Sequence, residues 1–336
     1  MEIYLDNAAT TMTLPEVSKL VSKISTEAYG NPSSLHKKGF EAENYVKNAA
    51  ETIAKTLKCR KENIIFTSGG TESNNHALIG TALKKKRAGR HIITTLTEHP
   101  SVINTCKYLE TLDFEVSYLG TDERGCVKKE DLKKALRDDT ILVSIMTVNN
   151  EIGTCSDIHS LVKTVKDFNP EITFHTDAVQ AYGKFFLYPA KQGLDLMSVS
   201  SHKLHGPKGV GFLYAADIAG LHPYIHGGGQ QNDMRSGTEN VPGIAGMAVA
   251  AELAFKDIDK NLNNARMLKN KFMENISGIP DIKFFGSDET SSPYIISLGI
   301  KDVKSEVLLH ALEDKNIYVS SGSACSSNHP GTSKTL

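Results

Sequence analysis

The sequence contains no tryptophan and only five cysteines among its 336 residues. The cysteines are Cys59, Cys106, Cys126, Cys155 and Cys325. They are odd in number and never in a CxxC spacing, which argues against both a disulfide framework and a structural zinc site. A reducing cytoplasm is therefore the expected compartment.

An excess of charge of one sign and a long apolar run are also missing. The net charge is −1, so bulk electrostatics predict no binding to nucleic acid or to a membrane surface. The N-terminus has no basic start followed by an apolar core, so we expect no secretory signal. The most apolar stretch, residues 241–255, is interrupted by Pro242, two glycines and Glu252. It falls short of the roughly 18 clean residues that a membrane span needs.

Strand-like and helix-like runs alternate along most of the chain, which predicts an α/β fold with a mostly parallel central sheet and helices on both faces. The predicted helices are 14–29, 37–57, 71–86, 101–112, 129–137, a long helix from 241 to about 276, and 305–314. The predicted strands are 63–66, 91–95, 115–119, 141–147, 173–175, 194–199, 210–214, 282–285, 294–299 and 318–320. We expect a large domain over 15–255, and a small α+β domain from 1–14 and 256–336, with the long helix joining them.

Two polar groups follow neighbouring strand-like runs, Asp177 after 172–176 and Lys203 after 195–200. In an open α/β sheet, ligands bind outside the carboxyl ends of the strands, so both side chains can face one crevice. A lysine can carry pyridoxal 5′-phosphate (PLP) as a Schiff base, and a carboxylate can keep its pyridine nitrogen protonated. The pair therefore predicts a PLP site. Lys208 lies close by, but we prefer Lys203 because Lys208 falls in a Gly/Pro turn.

The segment 67–74 (TSGGTESN) follows a strand and opens a helix. Its glycines, Gly70 among them, allow close approach of a phosphate, and the helix N-terminus favours an anion. A capped turn with Thr71 as N-cap is the structural alternative. The glycine-rich segment 227–240 offers Arg235 and Thr238 as further anion-binding groups.

Three more polar residues are candidates because they follow strands or the Asp177 turn. His99 belongs to the segment 97–99, which follows strand 91–95, and it could stack on an aromatic ring and shuttle protons. Asn150 could bind a ring hydroxyl or a substrate carboxylate, although an Asx turn also explains its segment. Gln180 could reach the ring oxygen.

The segment 320–329 consists of small polar residues around a single thiol, Cys325. It has no apolar face to bury, so we expect an exposed loop with a reactive thiol. For the other four cysteines packing is the expected role, with Cys155 the least clear.

The ordered set of motifs closely resembles cysteine desulfurases of the NifS/IscS type, which are PLP enzymes of fold type I in the class V aminotransferase group. The matching segments are 4–11, 30–36, 66–75, 97–99, 148–153, 175–180, 200–203, 206–209, 235–240 and 323–326. They span the chain almost from end to end, and the last one separates desulfurases from plain aminotransferases.

The resemblance implies a role for each candidate. Lys203 would hold PLP and move the Cα proton, Asp177 would pair with the pyridinium nitrogen, and Gln180 with the ring hydroxyl. His99 would stack on the ring and shuttle protons, and Asn150 would lie near the cofactor oxygen and the substrate carboxylate. The phosphate would be held by Gly70, Thr71, Ser200 and His202, with Thr238 from the other subunit of a homodimer.

Cys325 would take the sulfur of L-cysteine as a persulfide, leaving L-alanine, and would pass the sulfur to an acceptor such as an iron–sulfur scaffold protein. No intrinsic metal is expected, although Cys325 could be a transient iron–sulfur ligand. A selenocysteine lyase or a transaminase is the alternative within the same group.

The resemblance also predicts a longer small domain. Family members usually continue for several dozen residues beyond the position of Leu336 and supply an arginine that clamps the substrate carboxylate. We therefore expect an incomplete small domain. A third hypothesis follows, in which the chain binds PLP and a partner but turns over poorly and acts as a scaffold. In addition, Gly70 replaces an alanine that is common in the family.

Overall fold

The computed structural model describes residues 1–286 and 291–322. Within them the strands are β1 (Ile3–Tyr4), β2 (Ile64–Thr67), β3 (His91–Thr95), β4 (Glu115–Leu119), β5 (Thr140–Ser144), β6 (Thr173–Asp177), β7 (Leu196–Ser200), β8 (Gly211–Ala215), β9 (Ile282–Phe285), β10 (Ser297–Ile300) and β11 (Ile317–Tyr318). The helices are α1 (Pro15–Glu27), α2 (Lys37–Leu57), α3 (Gly70–Lys85), α4 (Pro100–Glu110), α5 (Lys129–Ala135), α6 (Ile158–Phe168), α7 (Pro189–Gln192), α8 (Val241–Lys256), α9 (Ile258–Ile276) and α10 (Ser305–Glu313).

A seven-stranded sheet forms the centre of the molecule, in the order β2-β8-β7-β6-β5-β3-β4. Only β8 runs antiparallel to its neighbours, so six of these strands point the same way. Their carboxyl ends therefore share one edge of the sheet, where ligands bind in folds of this type.

Side chains on the sheet alternate between two apolar layers, as the strand period of two requires. Ile92 and Leu142 pack in a cluster with residues of α3 and α4. Ile93 and Val143, the next residue in each strand, pack on the opposite face with residues of α5 and α6. The predicted α/β fold, with a mostly parallel sheet and helices on both faces, is confirmed.

Two further strand pairs lie outside this sheet. β9 and β10 form an antiparallel pair, and β1 pairs in parallel with β11, so that Ile3 lies opposite Ile317. Four of the predicted elements, 37–57, 91–95, 115–119 and 282–285, coincide with α2, β3, β4 and β9. The division into domains at residues 14 and 255 stays a prediction.

One expectation about the helices was wrong, and two helices, α6 and α7, were not predicted. The long helix from 241 to 276 is two helices, because Asp257 has φ −120° and ψ 25° and interrupts the helical hydrogen bonds. In addition, α6 was not predicted, although Asp157 caps it by accepting a hydrogen bond from the Ser160 N–H at 3.1 Å. Within the described residues, no helix is both long and apolar enough to cross a membrane.

Candidate active site

Asp177 and Lys203 lie at the same edge of the sheet, as predicted. Asp177 is the last residue of β6, and β7 runs parallel beside it with Ser198 opposite Asp177. Lys203 does not directly follow the strand, however. β7 ends at Ser200, and a 3₁₀ turn over Ser201–Lys203 carries the lysine beyond the strand end.

The Asp177 carboxylate is buried and held by two donors. Its Oδ2 accepts a hydrogen bond from Asn74 Nδ2 at 2.7 Å, and its Oδ1 accepts one from the Val179 N–H at 2.9 Å. Asp177 as a whole residue is 5 % exposed. A buried, ionised carboxylate needs such donors to offset its lost hydration.

Asn74 also connects Asp177 to His99. Its Nδ2 donates to Ser101 Oγ at 2.8 Å, and Ser101 Oγ lies 2.7 Å from His99 Nδ1. The Ser101 backbone N–H also donates to His99 Nδ1, at 3.2 Å. Because a backbone N–H can only donate, Nδ1 is an acceptor and the proton of the neutral ring is on Nε2.

Lys203 contacts the amino-terminal segment, residues 6–14. Its Nζ donates hydrogen bonds to the carbonyl oxygens of Ala8 and, at 2.6 Å, of Ala9. Gln180 Nε2 donates to the same Ala8 oxygen at 2.9 Å. The sequence motif 4–11 therefore supplies backbone acceptors at the candidate Schiff-base lysine, a role that its residue types did not reveal.

His202 is also held by the amino-terminal segment. Its Nδ1 lies 3.1 Å from Thr10 Oγ1, and its carbonyl accepts from the Thr11 N–H at 3.0 Å. Burial, and then the charges of Lys203 and Lys208, lower the pKa of His202 to about 4. The imidazole is therefore neutral at pH 7 and can donate a single ring N–H.

The segment after β2 forms a cleft at the N-terminus of α3. Gly69 is the N-cap, with φ 148°, and the helix begins at Gly70, so Thr71 is not the N-cap that the structural alternative required.

The cleft, called here the α3 cleft, has a volume of about 390 Å³. It is lined by Thr10, Ser68, Gly69, Gly70, Thr71, Glu72, Ser200, His202, Lys208 and Gly209. This cleft is suitable for a phosphate, because the first N–H groups of α3 have no partners within the helix and can donate to an anion. His202 and Lys208 add further donors.

Steric contact with Val179 favours glycine over a larger residue at position 70. A Cβ at this position would lie 2.8 Å from Val179 Cγ2, which is closer than side chains tolerate. Val179 follows Asp177 in the turn after β6, and Gly70 opens α3. The two residues are therefore matched in size, because Gly70 leaves the space that the Val179 side chain occupies.

The glycine-rich segment 227–240 is fixed to the α3 cleft by an ion pair. Arg235 Nε donates to Glu72 Oε1 at 2.9 Å, and Nη2 donates to Oε2 at 3.3 Å. Burial alone would raise the pKa of Glu72, but hydrogen bonds from Arg235 and Ser68 outweigh it and keep that pKa below its ordinary value. Arg235 is thus engaged by a carboxylate rather than presented to an anion. Thr238 is exposed and does not line the cleft.

The turn after β5 is stabilised by Asn149 rather than by Asn150. Asn149 Oδ1 accepts from the N–H groups of Glu151 and Ile152 at 2.9 and 3.0 Å, which is an Asx turn. Its Nδ2 donates to the Thr97 carbonyl at 3.1 Å and so ties the turn to the segment of His99. Asn150 is partly buried in this turn, and its predicted role stays a prediction.

Cys325 lies outside the described residues, so the structure gives no geometry for the predicted nucleophile. The preceding segment is described as far as Gly322, and Ser320 Oγ donates to Asp6 Oδ1 in the amino-terminal segment. Burial raises the pKa of Cys59 to about 11 and that of Cys106 to about 12, which suits packing rather than reactivity.

A second cleft, of about 410 Å³, contains none of the predicted site residues. It is lined by Asn75, Ile79, Leu83, Tyr108, His222, Pro223, Tyr224 and His226. The α3 cleft is the better candidate, since it adjoins Ser200 and His202 and lies at the edge of the sheet where Asp177 ends β6.

Comparison with known proteins identifies the family. The model for aminotransferase class V matches residues 3–335. The chain belongs to the class V aminotransferase family. Enzymes of this family use PLP, and the residues described above offer the phosphate cleft, the carboxylate and the lysine that this cofactor requires.

Several class V relatives are similar over nearly the whole chain. Cysteine desulfurase IscS of Dictyoglomus turgidum is 45 % identical over 328 residues, which is 97 % of this chain and 83 % of the relative. A solved NifS-like protein superposes with a TM-score of 0.93 at 39 % identity, covering 95 % of this chain and 87 % of that one. SspA, solved in complex with cysteine, gives a TM-score of 0.87 at 32 % identity, covering 100 % and 93 %.

Proposed function

We propose that the chain is a PLP-dependent cysteine desulfurase that removes sulfur from L-cysteine, giving L-alanine and a persulfide on Cys325. The observation that carries the proposal is the position of Lys203. It lies in the turn after β7, the strand that pairs with β6 and its last residue Asp177, and it directly follows His202, which lines the α3 cleft. Relatives over nearly the full length of the chain are named cysteine desulfurases, which supports this reaction over others of the class V family.

The described residues can hold PLP at three points. The α3 N-terminus with Gly70 and Thr71, together with Ser200 and His202, would bind the phosphate. Asp177 would pair with the pyridine nitrogen, and Gln180 would donate to the ring oxygen. When bound, the cofactor supplies an electron sink that weakens bonds next to the amino-bearing carbon of the substrate.

The proposed roles of the protein groups follow from their contacts. Lys203 would carry the cofactor and move the Cα proton, while the Ala8 and Ala9 carbonyls orient its amine. His99 would stack on the ring and exchange protons near the substrate. Its Nδ1 is occupied by the Ser101 N–H, so His99 acts through Nε2.

Cys325 would accept the sulfur. Its thiolate forms an S–S bond with the substrate sulfur while the substrate Cβ–Sγ bond breaks, and the bonding electron pair stays on the carbon skeleton that becomes alanine after protonation. The segment leading to Cys325 passes Asp6, and Asp6 is close in sequence to the Lys203 acceptors Ala8 and Ala9. This proximity supports delivery of the thiol to the same site.

A homodimer is part of the proposal, because Thr238 is exposed and does not line the α3 cleft of its own chain. In a dimer it would complete the phosphate site of the partner. The persulfide would be passed to a sulfur acceptor such as an iron–sulfur scaffold protein. The cytoplasmic location stays a prediction from the cysteine usage.

The first experiment measures the absorbance spectrum of the purified protein, and then alanine and sulfide after L-cysteine and a thiol reductant are added. We expect a visible cofactor band, absent in Lys203→Ala, and equal amounts of the two products. Cys325→Ala should keep the band and lose sulfide release, whereas the control Cys59→Ala should keep both. Sulfide release by Cys325→Ala at the parent rate would disprove the assignment of the nucleophile.

The same assay separates the other hypotheses. A band without products would favour a PLP-binding scaffold. A faster reaction with selenocysteine than with cysteine would identify a lyase, and the absence of a Cys325 persulfide together with amino-group transfer would identify a transaminase.

A further inference from the structure

A second lysine, Lys184, lies beside the candidate Schiff-base lysine and has no place in the proposed reaction. It follows the turn after β6 and is only partly exposed. Its Nζ donates a hydrogen bond to Gln180 Oε1 at 2.9 Å and lies 5.8 Å from the centre of the Tyr294 ring. The ammonium is therefore held between an amide oxygen and an aromatic ring.

The contacts with Lys184 and with the Ala8 carbonyl together fix which end of the Gln180 amide faces Lys203. An ammonium group can only donate, so the amide end beside it is the oxygen. The other end is then the NH₂ group, which donates to the Ala8 carbonyl at 2.9 Å. Lys203 donates to the same carbonyl, so Gln180 presents its amide hydrogens on the side of Lys203. The second amide hydrogen stays available to an acceptor there.

We propose that Lys184 is a positioning residue that orients the Gln180 carboxamide and places a second positive charge next to Lys203. The inference rests on the proposed function, since it assumes that Lys203 carries PLP. With the amide fixed in this way, Gln180 offers a donor to the cofactor ring oxygen and so favours the ionised form of that oxygen.

The electrostatic surroundings are consistent with this role. Burial, and then the charge of Lys203, lower the pKa of Lys184 to about 7. Coulombic repulsion is mutual, so the protonated form of Lys184, which predominates below about pH 7, disfavours a proton on the Lys203 nitrogen. Among the charged or titratable groups nearby, His202 in the adjoining turn is affected by the charges of Lys203, Lys208 and Lys184, and Asp177 ends β6, the strand next to β7.

The test is a pH titration of the visible band of the PLP-loaded protein, a measurement that needs no turnover. Lys184→Met removes the charge and should raise the midpoint by about one pH unit. Lys184→Arg keeps the charge and should stay near the parent midpoint. The exposed lysine variant Lys191→Met serves as the matched control and should not shift it.

A double-mutant cycle tests the orientation of the amide separately. Gln180→Leu should weaken PLP binding by about tenfold in the parent background and by clearly less in Lys184→Met, because the amide is then held only by the Ala8 carbonyl. Circular dichroism and thermal unfolding check that each variant is folded. If Lys184→Met is misfolded, Lys184→Gln takes its place, since it removes the charge but keeps a donor to Gln180. Its midpoint should rise, while the cost of Gln180→Leu should remain near tenfold.

Three results would overturn the inference. The first is an unchanged midpoint in Lys184→Met, or in Lys184→Gln if that variant replaces it. The others are a midpoint that also moves in Lys191→Met, and additive effects of the two substitutions in the Lys184→Met cycle. A parent protein without a visible band would instead refute the proposed function, and this inference with it. The two failures are thus distinguishable, because the first leaves the band of the parent intact.

Discussion

Asn74 and Asp177 are 103 positions apart in the chain, yet Asn74 Nδ2 donates to Asp177 Oδ2 at 2.7 Å. The same nitrogen donates to Ser101, which contacts His99. The carboxylate and the imidazole of the candidate site are therefore connected through one amide on α3. A change at Asn74 should reach both groups.

Asn74→Leu should weaken PLP binding by about tenfold, because a hydrogen bond to a charged group is worth roughly 1.5–3 kcal/mol. Fluorescence titration of the apoprotein with PLP measures the effect. Asn75→Leu is the matched control, since the Asn75 side chain donates to the Thr71 carbonyl of its own helix. Equal losses in the two variants would indicate that α3 itself is damaged and that the contact with Asp177 is not the cause.

Gly70→Ala should weaken PLP binding several-fold on its own, because the new Cβ would lie 2.8 Å from Val179 Cγ2 and displace the start of α3. The double variant Gly70→Ala/Val179→Ala should restore most of the affinity. Dissociation constants for the parent, both single variants and the double variant complete the cycle. Additive losses would show that the two residues are not matched in size.

Arg235→Ala should lower the free energy of unfolding by about 2 kcal/mol, because it leaves the mostly buried Glu72 carboxylate without its cationic partner. The side chains of Arg235 and Glu72 are 22 % and 10 % exposed, so water screens the pair only in part. Urea unfolding measures the loss. The double variant Glu72→Gln/Arg235→Gln should lose less than Arg235→Ala, because no carboxylate is left unpaired.

Glu98→Gln should change how stability depends on pH. Burial, and then the nearby charge of Asp177, raise the pKa of Glu98 to about 8, although the Met146 N–H donates to Glu98 Oε1 at 2.7 Å. Between the pKa of the unfolded chain, near 4.3, and pH 8, the folded state holds a proton that the unfolded state releases. The parent therefore loses stability as pH rises through this window.

Glutamine at position 98 cannot release that proton, so the variant should become more stable relative to the parent as the pH increases. The slope has an upper limit of about 1.4 kcal/mol per pH unit. Urea unfolding at pH 5, 6, 7 and 8 measures it. A difference that does not vary with pH would mean that Glu98 is ionised in the folded protein throughout.

The sequence predicts the parts of the site whose signal is local. Asp177 and Lys203 follow strand-like runs, and the turn before α3 combines glycines with a helix start. The common edge of the sheet then brings these segments together, as parallel strands require. The helix α6 also had a local signal that went unused, namely the Asp157 cap followed by Leu161, Val162 and Val165 on its buried face.

Other parts of the site depend on contacts between distant segments and have no local signature. The Ala8 carbonyl accepts from Lys203 across 195 positions, and any residue could supply that carbonyl. Lys184 is one of many lysines until its distance to Gln180 is known. Gly70 has no evident packing role until the space that Val179 occupies beside it is known.

The parallel pairing of β1 with β11 has a consequence for biosynthesis. Ile3 and Tyr4 are made early, but their partners Ile317 and Tyr318 are made more than 300 residues later. At about 5–20 residues per second, β1 waits roughly 15–60 s for its partner. The Ala8 and Ala9 carbonyls, which accept hydrogen bonds from Lys203, follow β1 in the chain. The pairing of β1 with β11 can therefore hold this segment in place only after β11 has been translated. The lysine pocket is thus completed later than the central sheet, whose last strand in the chain ends at Ala215.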